Sequence, residues 1–572
     1  MKYMLRYLTP HRTRLLTTMA IKFFASMMDL VIPFLLARII DVVVPQRHPG
    51  LIWLWGGAMA LCAVLSITTN VLANRMAAVT SGRITRTLRH DLFEKVGLLS
   101  MAQMDSLTLS SAVSRLTTDT YNINQFLNRT QRIGVRAPIL LVGGIIMTSI
   151  LDARLTLVLV LTMPVISAII YLVTKKSVPL YTHQQTVLDR IVRVIQENIT
   201  GVRIIKALSK SQDEQQRYDG VNAELADVGQ RAGKVVALSN PLTSLALNLG
   251  LTGVVLAGAW LVNQGLSRPG SIIAFLNYFT IISMAMMGLT RVFIMSSKGA
   301  ASAQRIQEVL TLPEDLQVIA GETAQSPWHV QFDRVSFSYN GVENNLQDIS
   351  FALRRGQTLG ILGATGSGKT TIVNLLLRLY DVDSGRILIN GLDIRSIPED
   401  VLRQRVGVAF QSDFILAGTI RENIRYWRDI PEEKLWQAAE DAQAASFIRD
   451  TEDGLDHPVE VRGNNLSGGQ KQRLLIARAL ASDPDLLVLD DASSALDYRT
   501  DAALRRALSR RQPPATTVII AQRISSIKGA DHILVLDDGR AIGSGTHEQL
   551  MESCAPYREI AQIQMGAEGG VA

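Results

Sequence analysis

Charge and cysteine are what this 572-residue chain has least of. Asp, Glu, Lys and Arg make up 19% of it, against about 25% in a soluble protein of ordinary composition. Apolar residues make up 47%. That combination excludes a disordered chain and points to membrane-embedded segments. The two cysteines, Cys62 and Cys554, lie far apart, which excludes a disulfide scaffold and a cysteine-rich metal site. Collagen-like, coiled-coil and low-complexity tracts are absent. No cleavage site follows the basic, amphipathic residues 1–16, so an uncleaved interfacial helix is expected before the first span. The length is too great for one core and implies several domains.

What charge there is divides unevenly. Residues 1–326 hold 31 Lys/Arg against 18 Asp/Glu, whereas residues 327–572 hold 27 against 33. The basic half is also the apolar half, where positive charge belongs on cytoplasmic membrane flanks. A nucleic-acid partner is therefore not expected, since that would need a basic patch on a soluble domain.

Six apolar runs, near 17–45, 51–74, 134–151, 154–174, 241–264 and 271–296, approach or exceed the roughly 20 residues that cross a bilayer. They pair across short turns and are separated by two long polar stretches, which read as helices continuing out of the membrane. The first stretch carries Arg83, Arg86, Arg89, Lys95, Arg115, Arg129 and Arg132, and the second carries ten more cations between Lys175 and Lys234. The short turns carry only Arg47, Arg154 and Arg268. The long loops and both termini are therefore expected in the cytoplasm. Lys22 and Asp29 fall on one face of the first run, as an internal pair, a snorkelling lysine or a functional charge. The last run holds Met284, Met286, Met287 and Met295 with Phe275, Tyr278 and Phe293, which suits either plain packing or a pocket for varied apolar ligands.

After about residue 300 the pattern changes. A linker over 301–327 leads into alternating strands and helices from Trp328 onward. The segment Gly363-Ala364-Thr365-Gly366-Ser367-Gly368-Lys369-Thr370-Thr371 fits G-x-x-x-x-G-K-[ST], follows the apolar strand Thr358–Leu362 and opens a helical run. Such a loop turns backbone N–H groups toward phosphate oxygens. Lys369 is expected on the β/γ phosphates of ATP and Thr370 on Mg²⁺. Downstream, Leu486-Leu487-Val488-Leu489 ends in Asp490-Asp491, a buried strand with a terminal acid of the kind that holds Mg²⁺ and polarises water. Between them stands Leu466-Ser467-Gly468-Gly469-Gln470, a helix start built from small residues.

Those three motifs in that order resemble the ATP-binding cassette (ABC) proteins, and the resemblance covers essentially the whole chain. It looks like an exporter half-transporter: a six-helix α-helical membrane domain over 1–300, fused to an α/β P-loop cassette over 328–572. Coupling helices are expected near Met104–Thr108 and Ser209–Arg217. The resemblance implies that Tyr339 stacks on adenine. It also implies that Gln411 senses Mg²⁺ alongside Thr370 and Asp490. Ser467, Gly468, Gly469 and Gln470 would complete the site of a second half-transporter, and Asp497 would contact the opposite cassette.

Two positions depart from the family pattern. Asp491 stands where a Glu usually serves as general base, and a carboxylate one methylene short sits about 1.5 Å back, a misplacement that can lower catalysis about 100-fold. Gln522 stands where a His usually meets the γ-phosphate, and an amide cannot become cationic. Val461 replaces an acid expected just before the signature. The chain therefore resembles the degenerate-site subunit of heterodimeric bacterial multidrug exporters, expected in the inner membrane with its ATPase domain cytoplasmic. A slow homodimeric pump, a lipid or peptide transporter, and an ATP-gated channel or regulatory subunit are the alternatives. The expected cargo is hydrophobic or amphipathic, with Asp29 a possible attractor of cations.

Overall fold

The computed structural model describes residues 3–313, 315–320, 326–411 and 414–568. The chain divides into two compact units, Met1–Gly97 with Ser110–Leu312, and Leu98–Leu109 with Pro313–Ala572.

The first unit is all helix. Among the described residues, five helical stretches are long and apolar enough to cross a membrane: Pro49–Gly97, Leu109–Leu151, Ala153–Thr200, Ser211–Asn263 and Pro269–Leu289. The last of these continues to Leu310, so part of the expected linker is helical. The first expected span is also a helix, Arg12–Arg38, and at 1.5 Å per residue its 27 residues extend about 40 Å. Lys22 and Asp29 dilute its apolar character. The long polar stretches are helical on both sides of a reversal, the first broken around Met101–Leu107 and the second around Val202–Ala207, and Pro164 and Pro179 are both accommodated within Ala153–Thr200.

Small residues allow these helices to approach closely. A Cβ on Gly250 would fall 2.5 Å from Phe279, and one on Gly144 2.7 Å from Ile282. Phe275, Tyr278, Phe279 and Ile282 are buried among Leu140, Leu155, Leu159 and Val254. Phe275 and Tyr278 are therefore core, and the Tyr278 hydroxyl donates to the Leu30 carbonyl at 2.5 Å. Met284 and Phe293 are exposed.

Lys22 and Asp29 do not pair with each other. Lys22 Nζ donates to Asn70 Oδ1 at 2.6 Å and Asn74 Oδ1 at 3.0 Å. Asp29 accepts from Arg136 at 2.7 Å and from the Ser66 hydroxyl. Seven residues is two turns on one face, but each side chain finds a nearer partner on a neighbouring helix.

The short helix Met101–Leu107, capped by Ser100, belongs to the second unit. Ser100 Oγ donates to Asp315 at 2.6 Å, and Tyr380 Oη donates to Asp105 at 2.6 Å. The other short helix is Val202–Ala207, and the reversal occurs at Leu208–Lys210. Residues 211–217 instead begin the next long helix, so no separate short helix stands at Ser209–Arg217.

Two large sheets and a two-stranded one, Gly418–Thr419 with Pro458–Val459, lie in the second unit. Leu346–Leu353, Val330–Phe337, Ser384–Ile389 and Leu392–Asp393 form an antiparallel sheet. The larger sheet runs Arg540–Gly545, His532–Asp537, Thr358–Gly363, Thr516–Ile520, Leu486–Asp490, Val406–Ala409, parallel except at its first pair. Leu486–Asp490 and Thr516–Ile520 are buried at every residue, as continuous apolar strands in a covered parallel sheet should be. Ile520 pairs with Ile361 on one side and Asp490 on the other. The carboxyl ends of the three strands therefore align, bringing the phosphate loop, Asp490-Asp491 and Gln522 to one edge, where parallel sheets bind ligands.

Candidate nucleotide site

A cavity of about 270 Å³ opens at that edge. It gathers Thr365, Gly366, Gly368, Lys369, Thr370 and Thr371 from the loop and its helix, Asp490 and Asp491 from the acidic strand end, and Gln411 and Gln522. The loop follows its strand directly, and the helix begins at Lys369 with Gly368 as its cap. Gly366 and Gly368 have φ of +87° and +98°, conformations that favour glycine. A Cβ at Gly368 would also lie 2.8 Å from the Asn345 carbonyl.

The donors of this loop are under-used. The Ser367 hydroxyl is buried without a hydrogen-bond partner among the described residues. Among the described residues, Lys369 Nζ donates only to carbonyls of its own loop, Gly363 at 2.8 Å and Ala364 at 2.6 Å. Burial pulls its pKa below the usual lysine range, against the opposing pull of Asp490 and Asp491. A glycine loop, a helix start, an orphaned hydroxyl and an ammonium without a bonded carboxylate fit the phosphates of a nucleotide.

Thr370 Oγ1 donates to Asp490 Oδ2 at 3.1 Å, and Asp490 is 3% exposed. Hydroxyl and carboxylate stand together as a Mg²⁺-binding pair would require. Asp490 is held above the usual carboxylate range, first by burial and also by Asp491. Neighbouring Asp491 adopts φ +50°, a left-handed conformation that aspartate tolerates better than most residues. Its Oδ2 accepts from Gln522 Nε2 at 2.9 Å and Gln411 Nε2 at 3.2 Å. Burial raises the Asp491 pKa, and those hydrogen bonds and Lys369 moderate the rise. The three side chains singled out separately in sequence thus converge on one oxygen.

Tyr339 is 44% exposed and follows the strand Val330–Phe337. It takes a hydrogen bond from Asn374 at 2.9 Å, and its ring meets those of Phe337 and Tyr380 edge-on. The expected signature does not join the phosphate cavity. Ser467 caps the helix Gly468–Leu480 in a reciprocal box with Gln470: Ser467 N donates to Gln470 Oε1 at 2.8 Å, and Gln470 N to Ser467 Oγ at 3.3 Å. Ser467 and Gly468 are exposed, and Gly469 is half-buried beside the Ala495 carbonyl. Asp497 caps the helix Tyr498–Arg510.

Sequence reasoning missed Asn345, which lines the cavity and accepts from Tyr339 N at 3.0 Å. It belongs to no motif and comes close only through the fold. Arg378 was also missed. Its side chain is fully buried, bonded to Asp381 at 3.0 Å and to the carbonyl of Gln317 at 2.8 Å, and it ties the segment before the cassette to the domain.

Comparison with known proteins agrees with this geometry. A family model for the ABC transporter transmembrane region matches residues 15–286, and one for the ABC transporter matches residues 346–494. The uncharacterized ABC transporter ATP-binding protein YfiB of Bacillus subtilis (strain 168) is 34% identical over 95% of this chain and 94% of its own length. A protein of Mycobacterium bovis named a fatty acid ABC transporter ATP-binding/permease protein is 32% identical over 88% of this chain and 80% of its own. The structure of a bacterial Atm1-family ABC exporter with ATP bound aligns at TM-score 0.82 and 26% identity, covering 97% of this chain and 98% of that one.

Proposed function

This chain belongs to the ABC transporter family, as a multi-pass membrane domain fused to an ATPase cassette that couples ATP to transport, and we propose that it is the degenerate-site subunit of a heterodimeric exporter. The observation that carries the proposal is the engagement of Asp491. At the position of the family's general base stands a short carboxylate, and one of its oxygens is held by two amides, Gln411 and Gln522. A base must reach the attacking water. Here the side chain is short and occupied, and the γ-phosphate side offers an amide in place of an imidazole.

In this reading the loop Gly363–Thr371 and Tyr339 hold ATP. Thr370, Gln411 and Asp490 hold Mg²⁺, which would neutralise phosphate charge. Turnover at this site is slow. Ser467, Gly468, Gly469 and Gln470, presented at an exposed and well-capped helix start, complete the catalytic site of a partner with the usual Glu and His. ATP binding closes the paired cassettes, and hydrolysis at the partner's site resets them, so transport is a population shift driven by unequal ATP affinity for two states. Six helices, Arg12–Arg38 included, span a bacterial inner membrane with the cassette and both termini in the cytoplasm. The cargo is a hydrophobic or amphipathic compound, a class compatible with the name of the mycobacterial relative.

The test is to purify the tagged chain from its native membrane and identify what accompanies it. A second ABC half-transporter bearing Glu and His at the positions of Asp491 and Gln522 is expected. Recovery of a self-dimer that hydrolyses ATP at the rate of an ordinary exporter would refute the proposal.

A further inference from the structure

The membrane unit contains a cavity of about 700 Å³ whose charge is one-sided. Among the described charged residues that line it, Asp29 is the only acid, set against Lys22, Arg132 and Arg136. Asp29 is already neutralised by Arg136 at 2.7 Å. The other two cations have only carboxamides. Lys22, 2% exposed, donates to Asn70 and Asn74, and Arg132 Nε donates at 3.2 Å to the same Asn74 oxygen that Lys22 reaches at 3.0 Å. Two cations thus share one neutral oxygen, with no acid among their described hydrogen-bond partners. Arg136 Nε is also buried without an acceptor. Lys22 is buried and Arg132 exposed, and like charges held this close destabilise each other unless an opposite charge lies between them.

The cavity is also divided along its length. On the helix Arg12–Arg38, Lys22 and Asp29 precede Ile32 and Pro33, and Lys22 to Pro33 spans roughly 16 Å at the helical rise. On Leu109–Leu151, Arg132 and Arg136 precede Leu140. Arg132 lies in a π-helical turn, Thr130–Gly134, a distortion frequent at functional sites. The helix Pro269–Leu310 runs the other way: Gly288 faces Ile133 at the charged end, and Ile281 lies toward the apolar end.

We infer that this cavity receives an amphiphile with an anionic headgroup, a carboxylate or phosphate held by Lys22, Arg132 and Arg136, with its tail against Ile32, Leu140 and Ile281. The expectation from sequence that Asp29 attracts cations is thereby reversed. The inference rests on the exporter reading only for the fate of the ligand, since binding requires no ATP.

The test uses the full chain in nanodiscs of zwitterionic phosphatidylcholine, with mass and, in a separate aliquot, ATP binding recorded on the same sample. Binding of laurate, dodecyltrimethylammonium and dodecanol is measured without nucleotide. Laurate should bind at least about tenfold tighter than the cation, as charge-assisted contacts allow. Lys22→Met with Arg132→Gln should erase that preference and leave dodecanol unchanged. Should that variant not fold, Met284→Glu places an acid on the exposed cavity wall and should abolish or invert the preference. Equal or tighter binding of the cation by the unaltered chain, or a preference that survives the variants, would overturn the inference. Adding phosphatidylglycerol identifies the source. Competition with laurate assigns the site to a membrane lipid, and unchanged laurate binding to a dispersed amphiphile. Charge preference without ATP binding would sink the exporter reading alone, whereas ATP binding without charge preference would sink this inference alone.

Discussion

Replacing Asp491 with Glu and Gln522 with His together should raise hydrolysis at this chain's own site. The structure supplies the magnitude. Asp491 Oδ2 is held at 2.9 Å and 3.2 Å by Gln522 and Gln411. A Glu carries its carboxylate about 1.5 Å further toward the cavity, the length of one carbon–carbon bond. The second substitution removes the stronger of the two holds and puts an imidazole where the γ-phosphate is expected. Placement errors near 1 Å cost about 100-fold, or roughly 2.7 kcal/mol of barrier. Part of that loss should be recovered, a rise of about 10- to 100-fold. The assay is single-turnover hydrolysis of labelled ATP by the full chain in nanodiscs, with nucleotide binding measured alongside. An unchanged rate with ATP bound as before would refute the idea that these two positions limit the site.

Three further outcomes follow from the geometry. Lys369→Met should weaken ATP binding about 100-fold or more, because the phosphate loop loses its only lysine; titration with a fluorescent ATP analogue checks this. Tyr380→Phe removes the hydrogen bond to Asp105 at the cost of about 1 kcal/mol of local stability, and should leave basal hydrolysis intact while reducing its stimulation by substrate. Gln522→Ala removes a hydrogen bond that lowers the Asp491 pKa, so Asp491 should stay protonated to higher pH. The acid limb of the pH–rate profile should accordingly move up, and a profile that stays put or moves down would contradict the assignment.

The cassette was largely legible in the sequence because its chemistry is local. A phosphate loop is contiguous, and the apolar run before Asp490 can only be a covered strand. The membrane helices were legible for a similar reason, since length and apolarity are summed along one segment. What remained hidden depends on which segments meet. Lys22 and Asp29 share a helix face, yet their partners Asn70, Asn74 and Arg136 come from other helices. The charge sign of the cavity therefore could not be read from one run. Asn345 and Arg378 likewise stand in no motif. The short helix Val202–Ala207 was not singled out although Gly201 precedes it, because the reversal that follows rests on Ser209 in a left-handed conformation, which composition does not announce.

The central claim is that this chain binds ATP at a site that scarcely hydrolyses it. The most direct measurement is ATP binding and vanadate-sensitive turnover of the chain alone in nanodiscs, with molecular mass determined on the same sample. The account predicts stoichiometric ATP binding with negligible turnover, and turnover restored when the partner half-transporter is added. Sustained turnover by a dimer of this chain alone would contradict it, and Asp491 would then be a working base.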